Sequence, residues 1–373
     1  MNNISTIYHC YGCGVCATVC TKNIINISHN KDGFYEPRLT DIDKCTHCGL
    51  CLDVCAFNHE ALSLKTNFKI ESYAAWSNED AVRRKCSSGG IGFEIGRALI
   101  NEGYKVCGVR YNVDKECAEH YIASTVEELI FSVGSKYIQS YTLDGFKSIN
   151  RKEKYLVTGV PCQIDSFRRY IQKFKVEDNF VLMDFFCHGV PSMHVWQKYL
   201  ERVKKKVGRV TYVSWRDKLV GWHDSWVMKI DGENCSINTR WSQGDLFYKF
   251  FLSDGCLGKA CYKNCKYKYQ DSSADIRIGD MWGQQYKDCE DGVNCVVAFT
   301  EKGAKVLQST NGIFIPHDFS TVAEGQLRQP VKYPYYYSIL MQILRLPLDI
   351  RTCYFVFQLF RIKELIMIKL QKK

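Results

Sequence analysis

Apolar and polar positions along this chain change rhythm several times, and each rhythm predicts a different element. Ile24-Ile25-Asn26-Ile27 and Gly33-Phe34-Tyr35 flank a polar turn and predict a short hairpin. The run Ser72 to Ser77 predicts a strand. Ser87-Ser88-Gly89-Gly90 follows, then a helix with Ile91, Ile95, Ala98 and Leu99 on one face, stopped by Gly103. Tyr104 to Tyr111 predicts the next strand, and this strand–helix–strand order implies a parallel sheet. Lys154 to Thr158 and Phe180 to Phe186 predict two more strands. Each runs into a turn, Gly159-Val160-Pro161-Cys162-Gln163 and Cys187-His188-Gly189-Val190-Pro191-Ser192. From about residue 336 the chain is apolar and basic: Ile339, Leu340, Ile343 and Leu344, then Tyr354 to Phe360, then Ile362 to Leu370. Arg345, Asp349, Arg351, Arg361 and Lys363 interrupt every candidate span, so no transmembrane helix of ~20 apolar residues is expected. An amphipathic helix against the body or a partner is expected there, with contact to a membrane surface as the alternative.

These rhythms predict an α+β module followed by an α/β body resembling a flavoprotein, with a mostly parallel or mixed sheet. The expected divisions are residues 1–66, 67–150, 151–335 and a helical tail over 336–373. The Ser-Gly-Gly turn opens a helix whose free N–H groups favour an anion such as a cofactor phosphate, so Ser88, Gly89 and Gly90 are candidate cofactor contacts. A plain helix cap explains the same residues.

Composition changes the picture through one residue type, cysteine, of which there are 20 in 373 residues. Asn2 to His9 show neither the basic nor the apolar run of a secretory leader, so a cytoplasmic location is expected, where clustered thiols bind metal rather than pair. The net charge of +10 includes the run Lys204-Lys205-Lys206. No nucleic-acid motif accompanies it, so nucleic acid is not an expected partner. The run reads as a solvated helix face, or as steering for an acidic ferredoxin, a partner redox subunit or an anionic small molecule.

Eight of the cysteines form an internal repeat. Cys10, Cys13, Cys16 and Cys20 have the spacing C-x2-C-x2-C-x3-C, and Cys45, Cys48, Cys51 and Cys55 repeat it. A tight loop with a thiolate every third residue wraps a 4Fe-4S cubane, and the fourth cysteine of each run reaches the other cluster. Two clusters follow, one on Cys10, Cys13, Cys16 and Cys55, the other on Cys45, Cys48, Cys51 and Cys20. Zinc is the alternative, but its sites seldom use two intact runs of four cysteines. Thr21 and Ala56 replace the proline usual after the fourth cysteine.

Cys162 and Cys187 each lie just past the carboxyl end of a predicted strand, the edge where ligands bind in open α/β sheets. Cys107 and Cys295 sit inside strands and read as core. Cys256, Cys261 and Cys265 precede Ala274 to Trp282, and the pair four apart is half of a possible third metal site. The set is completed by Cys162 and Cys187, or by Cys256, or the thiols simply pack. Lys263, Lys266 and Lys268 would offset the charge of such a site. His9, His47 and His188 neighbour cysteines without being expected ligands.

Taken together, these motifs resemble the beta-subunit family of coenzyme F420-dependent hydrogenases and dehydrogenases. The resemblance rests on the ferredoxin repeat, Ser87 to Gly90, Gly134-Ser135-Lys136-Tyr137, Gly159 to Gln163, Cys187 to Ser192 and Ala274 to Trp282. It implies an iron–sulfur flavoprotein with FAD held at Ser88, Gly89, Gly90, Ser135, Lys136, Tyr137, Gly159, Pro161 and Gln163. Lys136 would then stabilise a reduced flavin, unless it is an ordinary surface lysine. Electrons would pass between one-electron carriers and a two-electron substrate, a deazaflavin-like coenzyme or an intermediate of polysaccharide biosynthesis. An electron-transfer or docking subunit without its own substrate is the alternative. The chain departs from the family at Cys261-Tyr262-Lys263-Asn264-Cys265, one residue longer than the usual pair, and at Val160, where threonine is frequent.

Overall fold

The computed structural model describes residues 2–62, 68–223 and 226–371, with side chains as far as Ile362. The expected boundary at residues 66/67 and the tail side chains past Ile362 lie outside the described residues. Strands β1 (Ile25–His29) and β2 (Tyr35–Leu39) pair antiparallel as the expected hairpin. The body is built on β3 (Glu71–Ser77), β4 (Lys105–Asn112), β5 (Cys117–Ala123), β6 (Ser140–Tyr141), β7 (Tyr155–Thr158) and β8 (Phe180–Phe185). A separate meander holds β9 (Val210–Ser214), β10 (Val227–Gly232) and β11 (Ser236–Arg240), and the chain returns through β12 (Ile276–Asp280), β13 (Asn294–Ala298) and β14 (Gly312–Pro316).

One nine-stranded mixed sheet results, in the order β14-β3-β13-β12-β8-β7-β4-β5-β6. Strands β12, β8, β7 and β4 form its parallel centre, β13 and β14 run antiparallel to their neighbours, and β5 is antiparallel to β4 but parallel to β6. The strand–helix–strand succession therefore does not close a local unit. Strands β3 and β4 run in the same direction, but β13, β12, β8 and β7 stand between them. Long-range partners displaced the adjacency that local order implies.

Successive residues of the central strands face opposite sides, as a pleated strand requires. Val106, Leu156 and Val181 pack under the helices Ile91–Asn101 and Glu301–Gln308. Their neighbours Cys107, Val157 and Leu182 join Ile164, Phe167 and Ile171 of the helix Pro161–Lys173, and the same core takes in Val15, Ile25 and Ile27 of the N-terminal module. The ferredoxin-like region thus shares a core with the sheet. A third core, around Trp196, Trp215 and Phe247, joins the meander to the helices Tyr337–Arg345 and Ile350–Gln371. No helix among the described residues is long and apolar enough to cross a membrane. Lys204, Lys205 and Lys206 end the helix Met193–Val207, where cations favour the helix dipole, and Lys204 pairs with Glu116.

His120 is buried on β5, its Nε2 donating to the Thr158 carbonyl at 2.9 Å, and burial lowers its pKa to about 4. A base depressed in the fold contributes stability above its unfolded pKa and loses it as pH falls from 6.5 toward 4. The lost contribution is about 3 kcal/mol. Thermal melts of His120→Gln, which keeps a donor for Thr158, should show a shallower stability slope over that interval than the parent protein.

Candidate electron-transfer site

The first group of thiols surrounds a cavity. Cys10, Cys13, Cys16 and Cys55 all line it, so the fourth cysteine of the second run joins the first three of the first run. Gly14 makes the loop possible. It has φ +74°, and a Cβ there would meet Thr142 Oγ1 at 2.1 Å. Thr142 in turn donates to the Cys13 carbonyl at 2.9 Å, and Gln139 Nε2 to that of Tyr11 at 3.1 Å, fastening the loop to the body. The Gly12 N–H lies 3.4 Å from Cys10 Sγ, and Ser166 Oγ 3.2 Å from Cys13 Sγ. Burial pushes the Cys16 thiol well up, with Cys13, Cys10, Cys55 and Cys51 adding to the shift. Cys55 is pushed up to about 11, chiefly by burial.

The second group lies nearer the surface. Burial raises Cys51, and Cys48 and Cys20 stand close enough to raise it further. Asn3 Nδ2 reaches Cys45 Sγ at 3.6 Å. Cys48 is exposed and Cys20 and Cys45 are half-buried, whereas Cys13, Cys16 and Cys55 are buried. Cys16 and Cys51 lie on the short helices Val15–Val19 and Leu50–Asp53, which pack together in one core, so the two groups adjoin.

The third group stands at the carboxyl ends of β7 and β8. Cys162 is the second residue of the helix Pro161–Lys173, whose positive N-terminal dipole favours a negative ligand. Burial raises Cys162 well above the usual thiol range, and Cys187, Cys261, Cys13 and Cys265 all contribute. Cys261 is raised to about 12 by burial, then by Cys187 and Cys265. Cys162, Cys187, Cys261 and Cys265 thus share one buried neighbourhood, with Cys13 at its border. Ser166, one turn beyond Cys162, lies against Cys13, so a single helix borders both groups. Cys256 is elsewhere, buried with its thiol toward the Phe250 carbonyl at 3.6 Å.

The three expected lysines divide. Lys268 Nζ donates to the carbonyls of Cys187 and His188 at 2.5 and 3.0 Å, beside the third group. Lys266 reaches the carbonyls of Ala56 and His59 behind Cys55. Lys263 is exposed, its ammonium over the Tyr333 ring. Among the described residues no three His, Cys, Asp or Glu side chains could hold a single metal ion. A cubane has four corners, so its ligands stand round a cluster rather than one ion.

The candidate flavin residues lie along the same sheet edge, and several have their polar atoms engaged within the fold. Ser88 Oγ donates to the Val293 carbonyl at 2.9 Å, and a Cβ on Gly89 would meet the Ala75 carbonyl at 2.4 Å. The helix after Gly90 is met by Asn294 Oδ1, which accepts from Ile91 N at 3.1 Å. Gln163 donates to Ser140 Oγ at 3.2 Å and accepts from Val160 N at 3.0 Å, bracing Gly159 and Pro161. Lys136 is closed round by the carbonyls of Ser132, Val133 and Phe131 at 2.8, 3.0 and 3.4 Å. Burial lowers its pKa to about 7, while those three acceptors favour the charged form. Ser135 N donates to Ser87 Oγ at 2.9 Å, which joins the two family stretches.

Tyr137 leads to residues that the sequence reading passed over. Its hydroxyl is 3.3 Å from Arg216 Nη1, which pairs with Asp280 at 2.9 Å at the carboxyl end of β12. The guanidinium lies against both Trp226 and Trp282, at 4.7 and 5.0 Å from their ring centres. Tyr137 stacks on Trp226 at 5.4 Å. The signal available in the sequence was Asp280 and Trp282 within one motif; Arg216 and Trp226 lie far from it along the chain.

Two family models match the chain. Residues 9–59 match a 4Fe-4S dicluster domain, and residues 152–314 match the C terminus of the coenzyme F420 hydrogenase/dehydrogenase beta subunit. No curated protein matches. Among solved structures, a chain of the F420-reducing [NiFe] hydrogenase complex from Methanosarcina barkeri aligns at 18% identity with a TM-score of 0.44, covering 74% of this chain and 87% of that one. The chain thus joins a region matching a 4Fe-4S dicluster domain to one matching the C terminus of the coenzyme F420 hydrogenase/dehydrogenase beta subunit, a combination that supports a redox electron-transfer role.

Proposed function

We propose that the chain is an iron–sulfur flavoprotein oxidoreductase passing electrons between a one-electron partner and a two-electron substrate or coenzyme. The observation that carries this reading is the series of thiol groups. Cys48 is at the surface, Cys51 and Cys16 pack in one core, Cys13 meets Ser166 one helical turn from Cys162, and Cys187 lies just past the carboxyl end of β8. Twelve thiols in three sets of four suit three 4Fe-4S clusters. Bare thiols this buried would stay protonated, and a bound metal removes that penalty.

When bound, the clusters carry single electrons and a flavin exchanges two, a division of labour that protein side chains cannot supply. The chain's own part is placement and tuning. Gly12 N–H and Ser166 Oγ lie at ligand sulfurs, where hydrogen bonds set the potential. Lys268 offsets charge at the third group. The substrate would be an anionic small molecule, a deazaflavin-like coenzyme or a polysaccharide-pathway intermediate, and the electron partner an acidic ferredoxin or redox subunit, in keeping with the net charge of +10.

FAD would lie along Ser135, Tyr137, Gly159 and Pro161. A second reading, an electron-transfer subunit without its own substrate, draws support from Ser88, Lys136 and Gln163, whose polar groups are bonded within the protein. Anaerobic purification followed by acid extraction separates the two. The flavoprotein reading expects about one FAD per chain beside the iron. Full iron without flavin would overturn it and leave the second reading.

A further inference from the structure

The helix Ile350–Gln371 turns one face to the body and leaves another uncovered. Cys353 and Phe357 are buried, and Phe357 stacks on Phe250 at 5.4 Å. Phe355, Leu359 and Ile362 are 66%, 54% and 52% exposed. At about 100° per residue these three fall within roughly 60° of one another on the outer side of the helix. Tyr335, 46% exposed, donates to the Phe360 carbonyl at 2.9 Å and widens the apolar strip.

Beside this strip runs a groove of about 310 Å³ lined by Trp241, Ser242, Lys249, Ser253, Tyr354 and Arg361. Lys249 Nζ lies 5.3 Å from the Tyr354 ring centre, and among the described residues neither Lys249 nor Arg361 has a carboxylate partner. Trp241 is 51% exposed at the rim. Residues 350–373 carry six basic side chains, Arg351, Arg361, Lys363, Lys369, Lys372 and Lys373, against one acidic, Glu364. An exposed apolar strip, an aromatic rim and uncompensated cations match the layers of one kind of surface, acyl chains beneath a sheet of phosphates.

We propose that the helix Ile350–Gln371 docks the protein on an anionic phospholipid membrane. Phe355, Leu359 and Ile362 would enter the headgroup–acyl boundary, and Lys249 and Arg361 would receive a lipid phosphate in the groove. The helix lies in the interface rather than across it, as its interrupted apolar pattern requires.

The test is co-sedimentation of the full-length holoprotein with vesicles of phosphatidylcholine alone or with about one-third phosphatidylglycerol. The proposal expects binding to the anionic vesicles, weakened by 0.5 M salt as screening requires. Phe355→Ser/Leu359→Ser should lower binding by at least about tenfold, and Lys249→Glu/Arg361→Glu should abolish the preference for anionic lipid. All four positions are surface or groove residues, so unchanged cluster absorbance serves as the check on folding. Failure of the parent protein to bind anionic vesicles, or equal binding by parent and both variants, overturns the proposal. So does a dimer seen by light scattering that Phe355→Ser/Leu359→Ser dissolves while vesicle binding is absent, because the strip then pairs with a second copy. Suppression of vesicle binding by millimolar inorganic phosphate at constant ionic strength would confirm a phosphate in the groove; retained binding together with an unaltered lipid preference in Lys249→Glu/Arg361→Glu would exclude it.

Discussion

Replacing Cys162 with serine should remove about a third of the iron, roughly four atoms of twelve, and leave the N-terminal pair of clusters intact. Cys162 stands one helical turn before Ser166, which meets Cys13, so the same change should cut electron flow between the ferredoxin-like region and the sheet edge. The fold should survive, because Cys162 occupies the first turn of its helix and Gln163, which braces that turn, is untouched. Cys256→Ser is the control. Its thiol faces the Phe250 carbonyl in the core, so iron should not change. Iron and acid-labile sulfide, measured anaerobically on both variants, decide the matter. Equal iron in parent and Cys162→Ser would remove Cys162 from the ligand set.

The second large effect belongs to a buried ion pair. Arg277 Nε and Nη2 donate to the Asp184 carboxylate at 2.7 and 2.8 Å, and both side chains are fully buried. The remaining donors of Arg277 hold the carbonyls of Tyr269 and Asp271 at 2.8 and 2.9 Å, so the pair also anchors the loop that follows Cys265 and carries Lys266 and Lys268. Arg277→Met leaves a buried carboxylate without its partner and should destabilise the protein by about 3–5 kcal/mol. The third cluster should be lost before the other two. Arg277→Met/Asp184→Leu should recover much of that stability, since an apolar pair replaces a buried ionic one at little net change. Urea unfolding of the anaerobic holoprotein, followed by cluster absorbance and tryptophan fluorescence, reads both effects. An Arg277→Met midpoint equal to the parent's would contradict the anchoring role.

How far such features were legible depended on the range over which they act. The hairpin of β1 and β2, the helix after Gly90 and the strands ending at Thr158 and Phe185 follow from local alternation and turn residues, and they stand where that pattern puts them. The eight-cysteine repeat is equally local. Strand neighbours are not. The pairing of β3 with β13 and β14 brings together residues more than 200 positions apart, and no period of two encodes it. The meander β9–β11 was not foreseen either, because its short strands are half exposed and carry little apolar contrast.

The same distinction divides the site. Cys162 and Cys187 could be singled out because a topological rule places ligands at carboxyl strand ends. Arg216 could not, since its partners Tyr137, Asp280, Trp226 and Trp282 come from four separate segments. Lys136 shows the converse limit. A lysine in a family stretch suggests a ligand contact, but its ammonium is enclosed by carbonyls of the preceding turn, which only the folded backbone brings to it.

Under the proposed function three clusters stand in series between an exposed thiol group and the sheet edge. Electron paramagnetic resonance of the fully reduced holoprotein tests it most directly, because paramagnets set this close broaden and split one another's signals. Interacting 4Fe-4S signals that integrate to about three spins per chain are expected. Signals integrating to about two, unchanged when Cys187, Cys261 and Cys265 are all replaced by serine, would contradict it.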